Sequence, residues 1–197
     1  MDLYSCLIKY KYLFFLFFLN LFSTYVYSNP IIQPSISIII DDLGYKLKED
    51  VRALSLPGPV AYAILPHAPH TKKMVSIASQ NGKEILLHQP MQALENNDLL
   101  GPGALTLNMT QIEFTQTLEI NINAVQNIIG INNHMGSLLT RHPGHMQWLM
   151  NIIKKNEYIY VDSLTSANSV AKKIAEENQI PFLSRDIFLD NKKDLEY

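Results

Sequence analysis

Short apolar runs alternate with amphipathic stretches along the chain beyond its N-terminal segment. Six of these runs have the length and the β-branched or leucine-rich composition of buried strands. They cover residues 35–42, 60–66, 83–90, 128–135, 158–163 and 180–190. Between them, amphipathic patterns and turn residues predict helices over residues 46–56, 70–82, a stretch that begins after Thr110, 144–156 and 168–179.

This alternation of strands and helices predicts a parallel sheet with right-handed crossovers, and therefore an α/β fold whose strands are buried on both faces. A barrel-like and a doubly wound arrangement both fit the pattern. Thr110 and Glu113 have the spacing of a capping box at the start of the third helix. The connection over residues 91–109 is rich in Asn, Gly and Pro, and connections of this length are often functional.

The N-terminal segment has the composition of a targeting sequence. Lys9 and Lys11 precede a mostly apolar run over residues 12–22, and Val26 and Ser28 follow in the places of a small-residue cleavage pattern. That order is typical of a secretory signal peptide. The apolar run is short for a bilayer span of about 20 residues. An uncleaved membrane anchor and a buried helix are the alternatives.

We therefore predict a signal peptide over residues 1–28 and a single exported domain over residues 29–197, in the periplasm or cell envelope. The chain length of 197 residues is sufficient for one sizeable core. Cys6, the only cysteine, would leave with the signal peptide, which excludes disulfides and cysteine catalysis in the exported protein.

Composition and charge narrow the class of function. A hydrophobic content of 47% with 17% charged residues is typical of a globular protein. The formal charge of −2 and the scattered basic residues argue against a nucleic-acid partner, which would require a basic stripe. The sequence DDLGYK after the first strand is acidic where a phosphate-binding loop needs exposed backbone donors.

Polar residues that can bind ligands stand at the end of every predicted strand. In strand order they are Asp41 and Asp42; His67; His88; Asn132, Asn133 and His134; Asp162 and Ser163; and Arg185 and Asp186. In parallel α/β folds the active site is built at the carboxyl ends of the strands. Six consecutive strand ends of this kind favour a functional site over coincidence.

Structural roles are the alternatives for these residues. A single Asp after a strand commonly caps the next helix, although one cap does not need both Asp41 and Asp42. His88 could be a hydrogen-bonded core residue. Asp162 and Arg185 could form a structural ion pair or act in catalysis, and the sequence favours neither.

The remaining histidines lie in two H-x₂-H sequences, HAPH and HPGH. His67 and His70 flank the start of the second predicted helix, and His70 could simply begin that helix. His142 and His145 surround a Pro-Gly turn at the start of another helix, and we expect both on the surface.

A mononuclear metal site fits the chemistry of the strand ends. One Asp oxygen and two His nitrogens leave coordination positions open, which suits a catalytic Zn²⁺ or a similar divalent ion. Such an ion lowers the pKa of its water towards ~7 and polarises a carbonyl. A second carboxylate that does not bind the metal can accept the proton of the water. Two adjacent acids would then have two different roles.

Seven sequence stretches carry a specific resemblance to a known family. They are IIIDDLGY, LPGPVAYAILPHAPH, EILLHQPM, GPGALT, NNHMGS, VDSLTS and RDIFLDN. In this order, from about Ile36 to Asn191, the chain resembles the divergent polysaccharide deacetylase family. The resemblance implies a deformed (β/α) barrel of about six to seven parallel strands. It also implies metal-dependent hydrolysis of an N- or O-acetyl group on a glycan.

The same resemblance implies roles for the strand-end residues. Asp41 becomes the general base, Asp42 a metal ligand, and His88 and His134 the most suitable histidine ligands. The broader superfamily usually takes both histidines from one H-x₃₋₄-H element, and no such element stands at these two positions. The assignment of the two histidines therefore depends on strand-end geometry.

The resemblance also implies catalytic roles for Asp162 and Arg185 next to the metal ligands, with Arg185 orienting an acidic group. Family members continue past FLDN to a further strand with a GHP-like element, so the resemblance leads us to expect that this strand and a general-acid histidine are missing. His67 or a water could replace that acid.

Together these observations predict an exported carbohydrate deacetylase with a divalent metal, expected to be Zn²⁺, and an acetylated cell-envelope glycan as its substrate. No nucleic-acid partner is expected, and no stable membrane span if the signal peptide is cleaved. A catalytically weak glycan-binding protein on the same fold is the alternative, and a hydrolase acting on another amide is a third possibility.

Overall fold

The fold is described over residues 35–190, from a computed structural model. The strands are β1 Ile38–Leu43, β2 Val60–Ile64, β3 Ile85–Met91, β4 Ile128–Met135, β5 Ile159–Asp162 and β6 Phe182–Ser184. They form one parallel sheet in which each strand pairs with the next along the chain. The sheet curves into a half-barrel with helices against it, which confirms the predicted barrel-type α/β fold.

Helices connect the strands in the predicted order. They are α1 Leu47–Leu54, α2 Thr71–Gln80, α3 Gln111–Ala124, α4 Pro143–Lys155 and α5 Ala171–Glu177, with short 3₁₀ turns at Asn97–Leu99 and Leu139–Arg141. The predicted capping box at the start of α3 is confirmed, because Glu113 Oε2 accepts from the Thr110 amide at 2.8 Å and Thr110 Oγ1 accepts from the Glu113 amide at 3.3 Å. His70 occupies the N-cap position of α2.

The two faces of the sheet differ in what they pack against. The outer face, which the helices cover, belongs to a large apolar core that includes Tyr62, Ile64, Ile85, Leu87, Ile131 and Tyr160 from the strands and Leu54, Met74, Phe114, Leu118, Leu149 and Ile174 from the helices. The inner face carries a small cluster of Ala63, Leu86 and Val161, with Ile39 and Ile159 partly buried beside it. Strand periodicity alternates the side chains between these faces.

The strand β1 is more exposed than the sequence predicted. Its Ile38 is 41% exposed, and Leu183 of β6 is 50% exposed. Within residues 35–190, β1 and β6 are the first and last strands of the sheet and each pairs with a single neighbour. The prediction of strands buried on both faces is correct for β3, all of whose residues are buried, and wrong for β1.

Some predictions fall on parts of the chain outside the described residues. The predicted signal peptide at residues 1–28, with Cys6, is one of them, and the segment after residue 190 is another. Within residues 35–190, no helix has both the length and the apolar character that crossing a membrane requires.

Candidate metal centre

Both neighbouring acids lie in a β-bulge at the end of β1. Between Ile40 and Leu43 the pairing with β2 shifts, so that Asp41 and Asp42 together oppose a single residue of β2. Asp42 has a φ of 60°, in the left-handed region that Asp adopts more readily than most residues. In a regular strand, adjacent side chains point to opposite faces, and the bulge interrupts that alternation where the two acids stand.

The turn after the bulge is fixed by Asp50, in the first turn of α1. Its Oδ2 accepts hydrogen bonds from the amides of Gly44 at 2.9 Å and Lys46 at 3.1 Å. Gly44 has a φ of 132°, and a Cβ at this position would lie 2.7 Å from the Cβ of Ala68. Asp50 was not predicted as a functional residue, although an acid in the first turn of a helix is a recognised partner for free backbone amides.

The register between β3 and β4 places two histidines on the inner face. His88 follows Leu86 of the inner cluster by two residues, so the two side chains share that face. His88 pairs with Asn132, and His134 lies two residues further along β4. Asn132 and His134 therefore share the inner face as well.

Three side chains converge at this end of the inner face. Asp42 Oδ1 lies 3.1 Å from His88 Nε2 and 2.9 Å from His134 Nδ1. The two nitrogens are 3.2 Å apart. His88 is buried, whereas the Asp42 side chain is 61% exposed, so the cluster opens to solvent on the side of Asp42.

The geometry of this cluster fits a metal ion. Two ligand atoms that each lie about 2.0–2.1 Å from a tetrahedral Zn²⁺ are about 3.3 Å from one another, close to the observed separations. One carboxylate oxygen and two imidazole nitrogens are also ligands that Zn²⁺ commonly takes. Among the residues that the structure describes, Asp42, His88 and His134 form a possible metal site, and they are the three ligands predicted from the sequence.

The electrostatics distinguish the two acids. Hydrogen bonds with His134 and His88 hold the pKa of Asp42 far below its usual range. Burial works against the charged form of His134, but the hydrogen bond and the charge of Asp42 outweigh it and raise the pKa of His134. Burial raises the pKa of Asp41, and His88 opposes this effect while the charge of Asp42 adds to it. Asp42 is therefore the more acidic of the pair and Asp41 the more basic.

Asp162 lies on the other face of the sheet. It follows Val161 of the inner cluster, so strand alternation directs its side chain to the outer face. The buried carboxylate accepts hydrogen bonds from the Leu164 amide at 2.8 Å and from Ser169 Oγ at 2.6 Å. The structure thus gives Asp162 a role in the connection between β5 and α5, and a catalytic role stays a prediction from the sequence.

Arg185 bonds to backbone oxygens of the same connection. Its Nε donates to the Ser163 carbonyl at 2.7 Å and its Nη2 to the Leu164 carbonyl at 3.1 Å, while the guanidinium lies 3.7 Å from the ring centroid of Phe188. The alternative of an ion pair with Asp162 is wrong: both side chains are described, and neither is a salt-bridge partner of the other. A catalytic role for Arg185 stays a prediction.

Other histidines lie outside the cluster. His67 is exposed, and its Nε2 is 2.8 Å from Asn121 Oδ1. His142 is exposed as predicted, but the surface position predicted for His145 is wrong. Its ring is half-buried, with its centroid 4.5 Å from that of Trp148 and 5.9 Å from that of Phe114, because the first turn of α4 packs towards α3.

Two of the polar residues predicted at strand ends have supporting roles that the sequence did not reveal. Asn132 Oδ1 lies 3.0 Å from His88 Nδ1 on the inner face. Its neighbour Asn133 faces the other way and accepts from the Ser163 amide at 2.9 Å and from Tyr160 Oη at 3.2 Å. Asparagine is depleted in strands, so two adjacent asparagines at a strand end were the available indication.

The long connection after β3 is anchored by a second buried network. Gln89 Nε2 and Asn121 Nδ2 both donate to the Gly103 carbonyl, at 3.0 and 2.7 Å, and Asn121 also donates to Gln89 Oε1 at 2.8 Å. Gly103 has a φ of 80°, and any Cβ there would clash with Asn121. The network holds residues 91–109 at the carboxyl end of the sheet, where the ligands lie.

Known proteins resemble this chain in fold and in sequence. A crystal structure of the uncharacterized protein ATU2773 from Agrobacterium tumefaciens matches with a TM-score of 0.75 at 22% identity, over 79% of this chain and 64% of that one. An uncharacterized protein of Haemophilus influenzae is 37% identical over 86% of this chain and 61% of its own length. The uncharacterized protein YibQ of Escherichia coli is 32% identical over 83% of this chain and 51% of its own.

The chain thus spans between half and two thirds of the length of the curated relatives it matches. A sequence model described as "Divergent polysaccharide deacetylase" matches residues 38–197, which include β1 to β6 and the three converging side chains. The chain belongs to the divergent polysaccharide deacetylase family.

Proposed function

We propose that this protein is a metal-dependent hydrolase that removes acetyl groups from a polysaccharide of the cell envelope. The observation that carries the proposal is the convergence of Asp42, His88 and His134, with Asp41 beside them in the same bulge. Family membership supports the substrate class, since the family is described by its relation to polysaccharide deacetylases.

The metal would be held by Asp42 Oδ1, His88 Nε2 and His134 Nδ1, and Zn²⁺ is the ion that suits this set of ligands. A divalent ion there supplies a Lewis acid for the acyl carbonyl and lowers the pKa of water. Asp42 is exposed on one side, which leaves an approach for a glycan from solvent.

Asp41 has the properties of a general base. Burial raises its pKa, and it directly precedes the ligand Asp42 in the bulge of β1. In the proposed reaction, Asp41 accepts a proton from the attacking water as the water oxygen bonds to the acyl carbon. The bond from that carbon to the sugar nitrogen or oxygen then breaks, and acetate leaves. The proton passes to the sugar amine or hydroxyl.

Export is part of the proposal, because an envelope polysaccharide lies outside the cytoplasm. The targeting pattern of residues 1–28 supports it. Secretion of a reporter fused after residue 28, with loss of secretion when charged residues interrupt the apolar run, would test this part separately.

Acetate release is the direct test of the activity. The zinc-loaded protein is incubated with N-acetylated and O-acetylated oligosaccharides, and we expect acetate from at least one class. Asp41→Asn should lose the activity, while His142→Ala, which changes an exposed histidine outside the cluster, should retain it. A folded, zinc-loaded protein that releases no acetate from either class would contradict the proposal. Glycan binding that persists in that protein and in Asp41→Asn would instead support the binding-protein alternative.

A further inference from the structure

We propose that Asn132 is a positioning residue that fixes the tautomer of His88 and so directs the Nε2 lone pair of that histidine into the metal site. The inference rests on the proposed metal centre, but it does not depend on acetyl groups being the substrate.

The contact between the two side chains is enclosed by protein. Asn132 Oδ1 lies 3.0 Å from His88 Nδ1, and each residue is only 2% exposed. An amide oxygen accepts hydrogen bonds and cannot donate them, so the proton of this bond belongs to His88 Nδ1. Since both groups are buried, water has little access to replace Asn132 as the acceptor.

The proton on Nδ1 determines what the other ring nitrogen can do. A neutral imidazole carries one N–H, so Nε2 of His88 presents a lone pair. His88 Nε2 lies 3.1 Å from Asp42 Oδ1 and 3.2 Å from His134 Nδ1, so its lone pair would be directed at an ion that these three atoms share. In the metal-free protein the Asp42 carboxylate competes with Asn132 for the proton of the ring, because it can accept a hydrogen bond from Nε2. A histidine binds a metal through such a lone pair, and the hydrogen bond of its second nitrogen selects the tautomer and fixes the ring.

Strand register explains why Asn132 can do this. His88 and Asn132 are direct partners across β3 and β4, and His134 lies two residues further along on the same face. The strand β4 therefore supplies the ligand His134 and also Asn132, the residue that orients the ligand His88 on β3. Asn133, on the opposite face, bonds instead to the Ser163 amide and Tyr160 Oη of β5 and the turn after it.

The tautomer can be measured in the metal-free protein. ¹H–¹⁵N spectra of the histidine rings are recorded at alkaline pH on Asp42→Ala, which lacks the carboxylate that competes for a proton on Nε2, and in this background His88 should carry its proton on Nδ1. Adding Asn132→Asp, which keeps an acceptor oxygen, should give the same pattern, and adding Asn132→Leu should abolish the preference for Nδ1. A ring protonated on Nε2 in Asp42→Ala, or a tautomer unchanged by Asn132→Leu, would overturn the inference.

Zinc affinity provides the second readout, by competition with a chromophoric chelator. Asn132→Leu should bind zinc about 10–100-fold more weakly, as is usual when the hydrogen-bond partner of a ligand is lost, and Asn132→Asp should restore the affinity. Asn178→Ala removes a half-buried amide on the helix side, whose hydrogen bonds go to Gln147 and the Ile174 carbonyl, and serves as the control for general destabilisation. Wild-type affinity in Asn132→Leu would contradict the proposed role.

These results separate the inference from the proposed function. If the wild type binds no zinc, the proposed metal-dependent activity fails, and the ring spectra still decide whether Asn132 sets the tautomer. If zinc binds and no acetate is released, both readouts for Asn132 remain valid.

Discussion

The inner and outer faces of the sheet differ in composition and in purpose. The outer face and the helices enclose a large apolar core, while the buried apolar cluster of the inner face consists of Ala63, Leu86 and Val161, with the polar cluster at the carboxyl end of the same face. Because hydrophobic stabilisation scales with buried apolar area, most of the stability should come from the outer face. The inner face can then hold the adjacent carboxylates of Asp41 and Asp42, which repel one another unless a metal ion or a proton neutralises part of their charge.

Two aspartates at strand ends show this difference. Asp42 and Asp162 both end a parallel strand, but Asp42 contacts two histidines on the inner face and Asp162 is buried among the backbone and hydroxyl donors of its own connection. A position at the carboxyl end of a strand is therefore insufficient to identify a catalytic residue. The face on which the side chain lies decides what it contacts.

The largest expected effect is on metal binding, through an inner-face ligand. His88→Ala removes one of three ligands, and we expect stoichiometric zinc binding and acetate release to be lost. The reason is that two remaining ligands hold zinc far less tightly than three. Metal content after gel filtration measures this, with His142→Ala as the matched control. Retention of one zinc per chain in His88→Ala would show that the ion lies elsewhere.

The next effect is on the rate alone. Asp41→Asn keeps the ligand set and removes the proposed base, so turnover should fall by about 10²–10⁴-fold, the usual contribution of general base catalysis. Zinc content should stay at the wild-type level. Steady-state kinetics of acetate release, paired with metal analysis, provide the measurement. A mutant that loses zinc together with activity would assign Asp41 to metal binding.

An outer-face substitution should have the opposite result. Leu118 of α3 is fully buried in the large core, and Leu118→Ala should lower the free energy of unfolding by about 2–5 kcal/mol. Zinc affinity of the folded protein should be unchanged, because the side chain lies on the helix side. Urea unfolding measures the loss. Leu118→Met, which conserves volume, should cost less than about 1.5 kcal/mol.

The smallest of these effects tests the assignment of Asp162. Asp162→Asn weakens two partly buried hydrogen bonds, and the free energy of unfolding should fall by about 1–3 kcal/mol. Turnover per folded molecule should remain near the wild-type rate, since the carboxylate lies on the outer face. Urea unfolding curves and the kinetics of acetate release, measured on the same preparation, separate the loss of stability from a loss of turnover. A rate loss comparable to that of Asp41→Asn, with little change in stability, would restore the catalytic role predicted from the sequence.

Local features of the fold were predictable because they depend on neighbouring residues. The isoleucine-rich and leucine-rich runs predicted the strands, and the turn residues predicted where they end. Thr110 with Glu113 predicted the start of α3. The ligand set was predictable from strand ends and the family resemblance together. The carboxyl ends of parallel strands meet at one edge, so Asp42, His88 and His134 had to lie near each other.

Features that depend on how distant segments pair were missed. The bulge at Asp41 and Asp42 can be recognised only from the pairing of β1 with β2. The outer-face position of Asp162 follows only once the packing of Val161 shows which residues of β5 lie on the inner face. The half-buried position of His145 follows from the packing of α4 against α3. Asn132 was predicted as a polar strand-end residue, but its contact with His88 was not, because the two residues are 44 positions apart in the chain.

The central claim is that one ion joins Asp42, His88 and His134, and anomalous scattering at the zinc edge from crystals of the zinc-loaded protein tests it most directly. The account predicts a single strong peak per chain about 2.0–2.2 Å from Asp42 Oδ1, His88 Nε2 and His134 Nδ1. Zinc bound elsewhere while these three side chains hold no ion, or side chains too far apart to share one, would contradict it.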